Sequence, residues 1–333
     1  MSKAKEESVE IHKKGTWLTV RDDVRIVDCT IRDGGLINNY YFKDEFVRAV
    51  YDTCVISGMD YFEIGKIVSK TIMSPDEYGP WNFCDEADVR RIVGENDTKL
   101  KIAVMADIGR TNKEEILPKS ESVVDMIRVA CYIHQIPAAI DIIEDAHKKG
   151  YETTINLMAI SKISESDLDE VLNLISESNV DVIYIVDSFG TYYSEQIRKL
   201  TDKFTSIANS CGKKVGIHAH NNQQLAYANT IESMISGTSY LDATIAGLGR
   251  GAGNCPTELL FGFLRNPKFK ILHILKFIEK YIIPLRKEIY WGYDIPFMLT
   301  GQLNEHPRSA IRFNKEGKTD YVKFYNDLTD VEE

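Results

Sequence analysis

The sequence has no excess of positive charge. It contains 40 Lys and Arg residues against 50 Asp and Glu residues, which gives a formal net charge of −10. Contacts to nucleic-acid phosphates need clustered Lys and Arg side chains, so this balance argues against a general nucleic-acid-binding protein. We therefore expect a small-molecule substrate and no nucleic-acid partner.

The sequence also lacks paired cysteines and long apolar runs. Its six cysteines are widely spread and form no CxxC pair, so we expect reduced thiols, several of them in the core. The first 21 residues contain no apolar stretch of the signal-peptide type, and later apolar stretches are interrupted by charged residues. These observations predict a soluble, cytoplasmic protein without a membrane partner.

Eight short apolar runs rich in β-branched residues recur along the chain, as is typical of buried parallel strands. They lie at residues 24–29, 61–64, 101–105, 126–130, 153–158, 182–186, 215–218 and 241–246. Amphipathic helical patterns separate most of them, for example at residues 44–56, 136–149, 165–177, 194–209 and 223–236, with a short helix expected at 113–117. This alternation predicts an α/β fold, a (β/α)8 TIM barrel, with a doubly wound open sheet as the alternative.

The residues after the eighth run exceed what a barrel needs. Helical patterns at residues 257–264 and 271–290 are followed by an aromatic, less regular tail that begins WGYDIPF. We therefore predict a small C-terminal helical extension beside the barrel mouth. The expected organisation is a flexible N-terminal segment (1–21), a TIM-barrel catalytic domain (22–265) and a C-terminal helical extension and tail (266–333).

Polar motifs follow the first and seventh apolar runs, where barrel enzymes place their active sites. The first run leads into DCTIRDGG, with Arg32 and Asp33, and the seventh ends in HAHNN, with His218 and His220. Residues two apart in a strand face the same side, so the two imidazoles could bind one metal ion with Asp33, leaving positions open for substrate. A lone HxH is more often a pair of structural histidines, but its place beside the other motifs favours a metal site.

A glycine-rich loop, GLGRGAGN, follows the eighth run. It resembles a dinucleotide-binding loop only superficially, because that motif belongs after the first strand of a βαβ unit. We interpret it as a loop that brings backbone amides and Asn254 to the site, and a simple tight turn is the alternative.

Further polar residues at strand ends are candidates for binding substrate. The fixed charge of Arg32 suits a developing enolate or a substrate carboxylate, although a structural ion pair is equally compatible with its position. For the other candidates a packing or capping role is the alternative. They are Glu63, Arg128, Asp187, Ser188 and Asn222.

The motifs DCTIRDGG, IRVA, IVDSFG, HAHNN and GLGRGAGN occur in this order across residues 24–258. With them the sequence resembles the DRE-TIM metallolyase superfamily (HMG-CoA lyase-like), and within it the 4-hydroxy-2-oxovalerate aldolase-like proteins. The resemblance implies Asp33, His218 and His220 as metal ligands, Asn254 as a further direct or water-bridged ligand, and Arg32 as the group that stabilises the enolate. It also implies Mn²⁺ or Mg²⁺ as the metal, with Zn²⁺ as the alternative.

The sequence departs from the aldolase pattern at the general base. The aldolases carry a histidine shortly after RDG, and this chain has Leu36 there. Substitutes for the base are Tyr293, His306 and His134, or a metal-bound water, of which Tyr293 and His306 are the preferred catalytic candidates.

The leading hypothesis is a divalent-metal-dependent aldolase, a lyase that cleaves or forms a carbon–carbon bond of a 4-hydroxy-2-oxo acid, with pyruvate and an aldehyde as the products of cleavage. A Claisen-type synthase that joins an acyl-CoA to a 2-oxo acid, an HMG-CoA-lyase-like enzyme, and a non-catalytic partner-binding barrel are the alternatives. We also expect a homodimer formed through the C-terminal helices. Because aldolases of the family can pair with an aldehyde dehydrogenase, such a dehydrogenase is a further expected partner.

Overall fold

Eight parallel strands form a closed barrel in the computed structural model, which describes residues 21–330. Each strand pairs with the next in sequence, and the last pairs with the first. The strands are Arg25–Asp28 (β1), Tyr61–Lys66 (β2), Lys101–Asp107 (β3), Met126–Cys131 (β4), Glu152–Leu157 (β5), Val182–Asp187 (β6), Lys214–Ala219 (β7) and Tyr240–Ala243 (β8). The predicted TIM barrel is confirmed and the open sheet is excluded. Of the predicted N-terminal segment, residues 1–20 lie outside the described residues.

Helices alternate with the strands and continue beyond the barrel. They are Thr30–Asn38 (α1), Asp44–Ser57 (α2), Glu86–Val93 (α3), Ile136–Lys148 (α4), Glu165–Glu177 (α5), Ser194–Ser210 (α6), Ala226–Ile235 (α7), Thr257–Leu264 (α8), Ile271–Phe277 (α9), Ile283–Leu285 (α10), Ile295–Gln302 (α11), Arg308–Lys315 (α12) and Tyr321–Thr329 (α13). Between β3 and β4 the chain forms two short 3₁₀ turns, Lys113–Glu115 and Lys119–Glu121. No helix of the described residues is long and apolar enough to cross a membrane.

Helix α1 is the main local difference from the sequence-based expectation. The sequence patterns place DCTIRDGG at a strand end, whereas the structure folds most of it into α1. Two consecutive glycines have low helix propensity, but tight packing explains their place here. A Cβ atom on Gly35 would lie 2.1 Å from the Tyr40 ring, and one on Gly34 would lie 2.9 Å from Leu248. The motif residues therefore occupy a helical turn over the barrel mouth.

A layer of polar side chains crosses the middle of the barrel. It consists of Glu63, Arg128, Tyr184 and Asp242, one from each even-numbered strand, as in the layered interiors of TIM barrels. Arg128 donates to Glu63 at 2.9 Å and to Asp242 at 2.6 Å, and its guanidinium lies 4.5 Å from the centre of the Tyr184 ring. This layer forms the floor beneath the strand ends.

The C-terminal extension packs on the loop that follows β8. Phe297, Phe313 and Phe324 of α11–α13 form a separate apolar cluster with Ala252 of that loop. The side-chain amide of Asn222 donates to the Phe297 carbonyl oxygen at 3.1 Å and so ties α11 to the end of β7. The helix expected at 271–290 is interrupted by a π turn, Ile278–Ile282, and ends at α10. The extension thereby reaches the barrel mouth.

Candidate metal centre and active-site cavity

Side chains from three elements converge at the carboxyl end of the barrel. Asp33 lies in the first turn of α1, and His218 and His220 lie at the end of β7 and directly after it. Asn254 lies in the loop after β8, where its backbone forms a β-bridge with His220. Asp33 Oδ2 is 3.5 Å from His218 Nε2, and the two imidazole centres are 4.9 Å apart. Gly249 makes room for this arrangement, because a Cβ atom there would lie 2.2 Å from the Asn254 side-chain nitrogen. The structure thus brings all four predicted ligands together.

Three atoms of this cluster are buried without a hydrogen-bond partner among the described residues. They are Asp33 Oδ2, His218 Nε2 and Asn254 Oδ1. Buried polar atoms without partners are rare and costly in folded proteins, so such a group calls for a ligand. Carboxylate, imidazole and amide atoms form a donor set that suits a divalent metal ion. The residues present therefore fit a divalent cation.

Hydrogen bonds behind the two histidines fix which ring nitrogen faces the cluster. His218 Nδ1 lies 2.9 Å from Asp242 Oδ2, and His220 Nδ1 lies 3.0 Å from the Asp187 carbonyl oxygen. Both partners accept, so each Nδ1 carries the proton and each Nε2 is free as a donor to a metal ion. Asp187 and Asp242 hold the histidines in the ligand orientation.

Electrostatic surroundings keep the cluster in its metal-binding protonation state. Burial opposes ionisation of Asp33, but the neighbouring Arg32 outweighs it and holds its pKa below the ordinary value. Burial and the neighbouring His218 lower the pKa of His220 to about 3. At neutral pH Asp33 is an anion and His220 a neutral imidazole, which are the forms that bind metals.

Cys29 also lies close to Asp33 and His218, with the three potential ligand atoms within 4.8 Å of one another. Burial raises the pKa of the Cys29 thiol well above its ordinary value. Metals bind the thiolate rather than the thiol. Cys29 therefore fits the cluster less well than His220 and Asn254 do.

An ion-pair chain supports Arg32 from below. Arg32 Nε donates to Glu63 at 2.7 Å, its Nη1 contacts Asp33, and Glu63 also accepts from Arg128. Arg128 continues the chain to Asp242 and hence to His218. Glu63 and Arg128 were candidates for binding substrate, but both are fully buried in the floor and do not line the cavity. Their mutual pairing uses the charges that a substrate would need, so their substrate-binding role stays a prediction without a contact to the cavity.

A cavity of about 330 Å³ opens above the cluster. Ser188, another substrate-binding candidate, lines it, and its hydroxyl accepts from the Ala159 amide at 2.8 Å. Asp187 is buried behind the wall, where its carboxylate accepts from the Thr191 amide at 2.9 Å and burial raises its pKa to about 7. The structure therefore gives Asp187 a positioning role, and Asn222 likewise serves to hold α11.

The candidates for the general base differ in their places. His306 and Leu36 line the cavity, whereas Tyr293 and His134 do not. Tyr293 is 46% exposed in the segment before α11, and His134 is exposed and stacks on Tyr132. The side chain of Tyr293 thus lies outside this cavity, and its catalytic role stays a prediction.

Several residues of the cavity wall were missed by the sequence analysis. They are Lys66, Asp107, Arg110, Tyr132 and Arg308. Lys66 and Asp107 end β2 and β3, so the strand-end rule would have found both if each run had been extended by two residues. Arg308 comes from the C-terminal extension, and no sequence pattern pointed to it.

Comparison with known proteins agrees with this architecture. Residues 23–277 match the HMGL-like family. The chain belongs to the HMGL-like family. This assignment confirms the predicted DRE-TIM metallolyase superfamily, whose members depend on divalent metals.

Two curated relatives of this HMGL-like chain carry different names. An oxaloacetate decarboxylase from Mycobacterium tuberculosis is 30% identical over 242 residues, which is 72% of this chain and 69% of the relative. A 4-hydroxy-2-oxovalerate aldolase from Bacillus cereus is 26% identical over 313 residues, which is 89% and 88% of the two chains. Together they support an enzyme of the lyase and aldolase type.

Two solved structures share the fold. The N-terminal domain of a candidate aldolase from Bacteroides vulgatus superimposes with a TM-score of 0.75 at 27% identity, over 88% of this chain and 97% of the other. Hydroxymethylglutaryl-CoA lyase from Pseudomonas aeruginosa gives a TM-score of 0.64 at 18% identity, over 80% and 94%. The second comparison supports the barrel fold alone.

Proposed function

We propose that this protein is a divalent-metal-dependent carbon–carbon lyase that cleaves a 4-hydroxy-2-oxo acid to pyruvate and an aldehyde. The observation that carries the proposal is the group of unpaired ligand atoms on Asp33, His218 and Asn254, beside the guanidinium of Arg32. The match to the HMGL-like family and the name of the Bacillus cereus relative support it.

A divalent cation bound at this cluster would draw electron density from the carbonyl of a 2-oxo acid and so stabilise the enolate left by bond cleavage. Arg32 would stabilise the same negative charge with its guanidinium group. Burial opposes its charge, but Asp33 and Glu63 raise its pKa well above the ordinary value. A fixed guanidinium in a buried site stabilises negative charge that develops on a substrate oxygen.

Cleavage by a retro-aldol step requires a group that takes the proton of the substrate 4-hydroxyl. His306 lines the cavity, and the Arg308 amide donates to its Nδ1 at 3.1 Å. Burial and the nearby Arg250 lower the pKa of His306 to about 4, so the ring is neutral at pH 7 with its proton on Nε2. In this arrangement His306 donates a hydrogen bond to a substrate oxygen, and it becomes a base only if the Arg308 contact opens.

Leu36 favours a second candidate function, decarboxylation of a 2-oxo acid that carries a carboxylate on its third carbon. The leaving carboxylate is already ionised, so bond cleavage needs the same electron sink but no base. Leu36 lies in the cavity at the position where the related aldolases carry a histidine. The name of the Mycobacterium tuberculosis relative, an oxaloacetate decarboxylase, agrees with this alternative.

One assay compares the two reactions. Pyruvate release, coupled to lactate dehydrogenase, is measured for a panel of 4-hydroxy-2-oxo acids and for oxaloacetate, with Mn²⁺ and with EDTA. Free Mn²⁺ itself accelerates oxaloacetate decarboxylation, so the Asp33→Asn protein at the same Mn²⁺ concentration is the blank.

EDTA-sensitive pyruvate formation from a 4-hydroxy-2-oxo acid supports the aldolase, and formation from oxaloacetate alone supports the decarboxylase. If no substrate gives pyruvate above the blank, the proposal is wrong. Release of free thiol from acyl-CoA with a 2-oxo acid would then indicate the Claisen synthase, and its absence would indicate the partner-binding barrel.

A further inference from the structure

The cavity wall carries more positive than negative charge. Its cationic side chains are Arg32, Lys66, Arg110, Arg250 and Arg308, and its carboxylates are Asp33 and Asp107. This excess could not be seen in the acidic sequence as a whole, because the five cations come from five separate segments of the chain. Binding of a divalent cation would increase the excess further.

Three of the cations have a carboxylate partner within the protein. Arg32 is held by Asp33 and Glu63. Lys66 donates to Asp107 at 2.7 Å, and Arg110 lies 3.6 Å from the same carboxylate. Each of these three side chains therefore lies within 4.0 Å of a protein carboxylate, although Lys66 and Arg110 share one.

Arg250 and Arg308 differ from the other three. Neither side chain forms an ion pair within 4.0 Å or a side-chain hydrogen bond with any residue in the described range 21–330. Arg250 lies half-buried in the loop after β8, where burial lowers its pKa; the Asp33 carboxylate opposes this shift and Arg308 adds to it. Desolvating a guanidinium without a partner costs free energy. Two guanidinium groups that line one cavity and have no ion-pair partner within 4.0 Å form an incomplete anion site.

The carboxylate of the 2-oxo acid alone does not complete this site. That carboxylate belongs beside the carbonyl that a metal ion at Asp33, His218 and His220 would polarise, and a single negative charge leaves the cavity positive. Guanidinium groups match the shape of a carboxylate, to which they donate two parallel hydrogen bonds. The unmatched pair therefore fits a second acidic group at the other end of the substrate.

We propose that Arg250 and Arg308 form a subsite for a second carboxylate, so that the preferred substrate is a 2-oxo dicarboxylate rather than a 2-oxo acid with a neutral tail. This inference rests on the proposed function for the identity of the 2-oxo end. Arg250 belongs to the same loop as Asn254, and Arg308 belongs to the C-terminal extension. The extension would thus set substrate selectivity while the barrel ends carry the chemistry.

Equilibrium binding of two unreactive probes tests the subsite. Oxamate and N-oxalylglycine share the same head that mimics a 2-oxo acid, but only N-oxalylglycine has a carboxylate at its far end. Titration calorimetry is carried out with the Mn²⁺-loaded full chain, as wild type and as the Arg250→Met, Arg250→Lys and Arg308→Gln variants. Arg312→Gln is the matched control, because Arg312 is exposed on the same helix as Arg308 and does not line the cavity.

The wild type is expected to bind N-oxalylglycine about 10- to 100-fold more tightly than oxamate, the range for hydrogen bonds to a charged group. Arg250→Met removes most of this preference, while Arg308→Gln removes a smaller part because Arg308 is exposed, and Arg250→Lys retains part of it. Arg312→Gln leaves it unchanged. Metal content and thermal unfolding of each variant show whether it is folded and loaded.

Equal affinity of the wild type for both probes overturns the subsite. An equal loss of affinity for both probes in Arg250→Met also overturns the subsite, because Arg250 would then contact the part that the two probes share. The outcome is independent of turnover. A preference without EDTA-sensitive pyruvate formation contradicts only the proposed reaction, and pyruvate formation without a preference contradicts only the subsite.

Discussion

Among the described residues, one polar network lies at each end of the barrel, and the two networks differ in how completely their side chains are paired. At the amino end, the hydroxyl groups of Tyr61 and Tyr240 donate to Glu152 at 2.7 Å and 2.9 Å, and Lys101 donates to the same carboxylate at 2.9 Å. At the carboxyl end, Asp33 and His218 each keep a buried atom unpaired.

This difference in pairing indicates which network stabilises the fold and which one is available to a ligand. A network whose donors and acceptors are all used by the protein stabilises the fold and has nothing left for a ligand. A cluster with unpaired atoms lowers stability slightly and is retained where a ligand completes it. The layer of Glu63, Arg128, Tyr184 and Asp242 lies between the ends and serves both purposes. Variants at the carboxyl end, in the polar layer and at the amino end should therefore change different properties of the protein.

The largest effect is expected at the carboxyl end. Asp33→Asn or His218→Ala should abolish stoichiometric metal binding, because the first removes the negative charge of the cluster and the second removes the imidazole whose Nε2 has no partner there. We expect kcat/KM to fall by roughly 10³-fold or more, since a Lewis-acidic cation is worth several kcal/mol in the transition state. Metal content by mass spectrometry and pyruvate release are the two measurements.

His147→Ala is the matched control for this experiment, because His147 is exposed on α4 and does not line the cavity. It should keep full metal content and activity. Full metal content in either ligand variant would show that the cluster is not the metal site.

A smaller effect, on the stability of the fold, is expected in the polar layer. Arg128→Met leaves Glu63 and Asp242 buried without their shared cation, and breaking such a buried pair costs about 3–5 kcal/mol in the free energy of unfolding. The unfolding midpoint should fall by roughly 10 °C. Thermal unfolding followed by circular dichroism measures the change.

A compensating variant sharpens this result. Arg128→Met combined with Glu63→Gln removes one buried charge together with its partner, so part of the lost stability should return. Activity of the double variant should be low, because Arg32 has lost the Glu63 carboxylate that orients it. If the double variant were less stable than Arg128→Met, the layer would not act as a charge-balanced unit.

The fold and the convergence of Asp33, His218 and His220 were predictable for the same reason. Buried parallel strands consist of β-branched apolar runs, and the period of two in a strand places His218 and His220 on one side. Local patterns are enough for both statements. The rule that barrel enzymes place active-site residues after their strands then adds Arg32 and Asp33. Their helix α1 depends on contacts with Tyr40 that no local pattern contains.

The rest of the site depends on distant pairings. Glu63 and Arg128 are strand residues 65 positions apart that neutralise each other, and nothing in either segment shows that the other faces it. Arg308 reaches the cavity because Phe297 and Phe313 anchor the extension on Ala252. Cavity residues of this kind follow from tertiary packing, which a single sequence does not show.

The next effect in size concerns the orientation of a ligand. Asp242→Asn weakens the hydrogen bond that holds His218 and leaves Arg128 with one carboxylate instead of two. Metal affinity should fall about 10- to 100-fold, the usual result of changing the partner of a metal-binding histidine. The Mn²⁺ dissociation constant measured by electron paramagnetic resonance gives the change. An unaltered constant would show that Asp242 serves only the polar layer.

The smallest effect is expected at the amino end, where Tyr240→Phe removes one hydroxyl that donates to Glu152 at 2.9 Å. Glu152 keeps its contacts with Tyr61 and Lys101, so the free energy of unfolding should fall by only about 1 kcal/mol. The site lies at the other end of the strands, so kcat/KM and the Mn²⁺ dissociation constant should match the wild type. Chemical denaturation and the pyruvate assay measure the two properties. A loss of metal affinity in this variant would break the contrast between the ends, because the amino-terminal network would then act on the cluster through the polar layer.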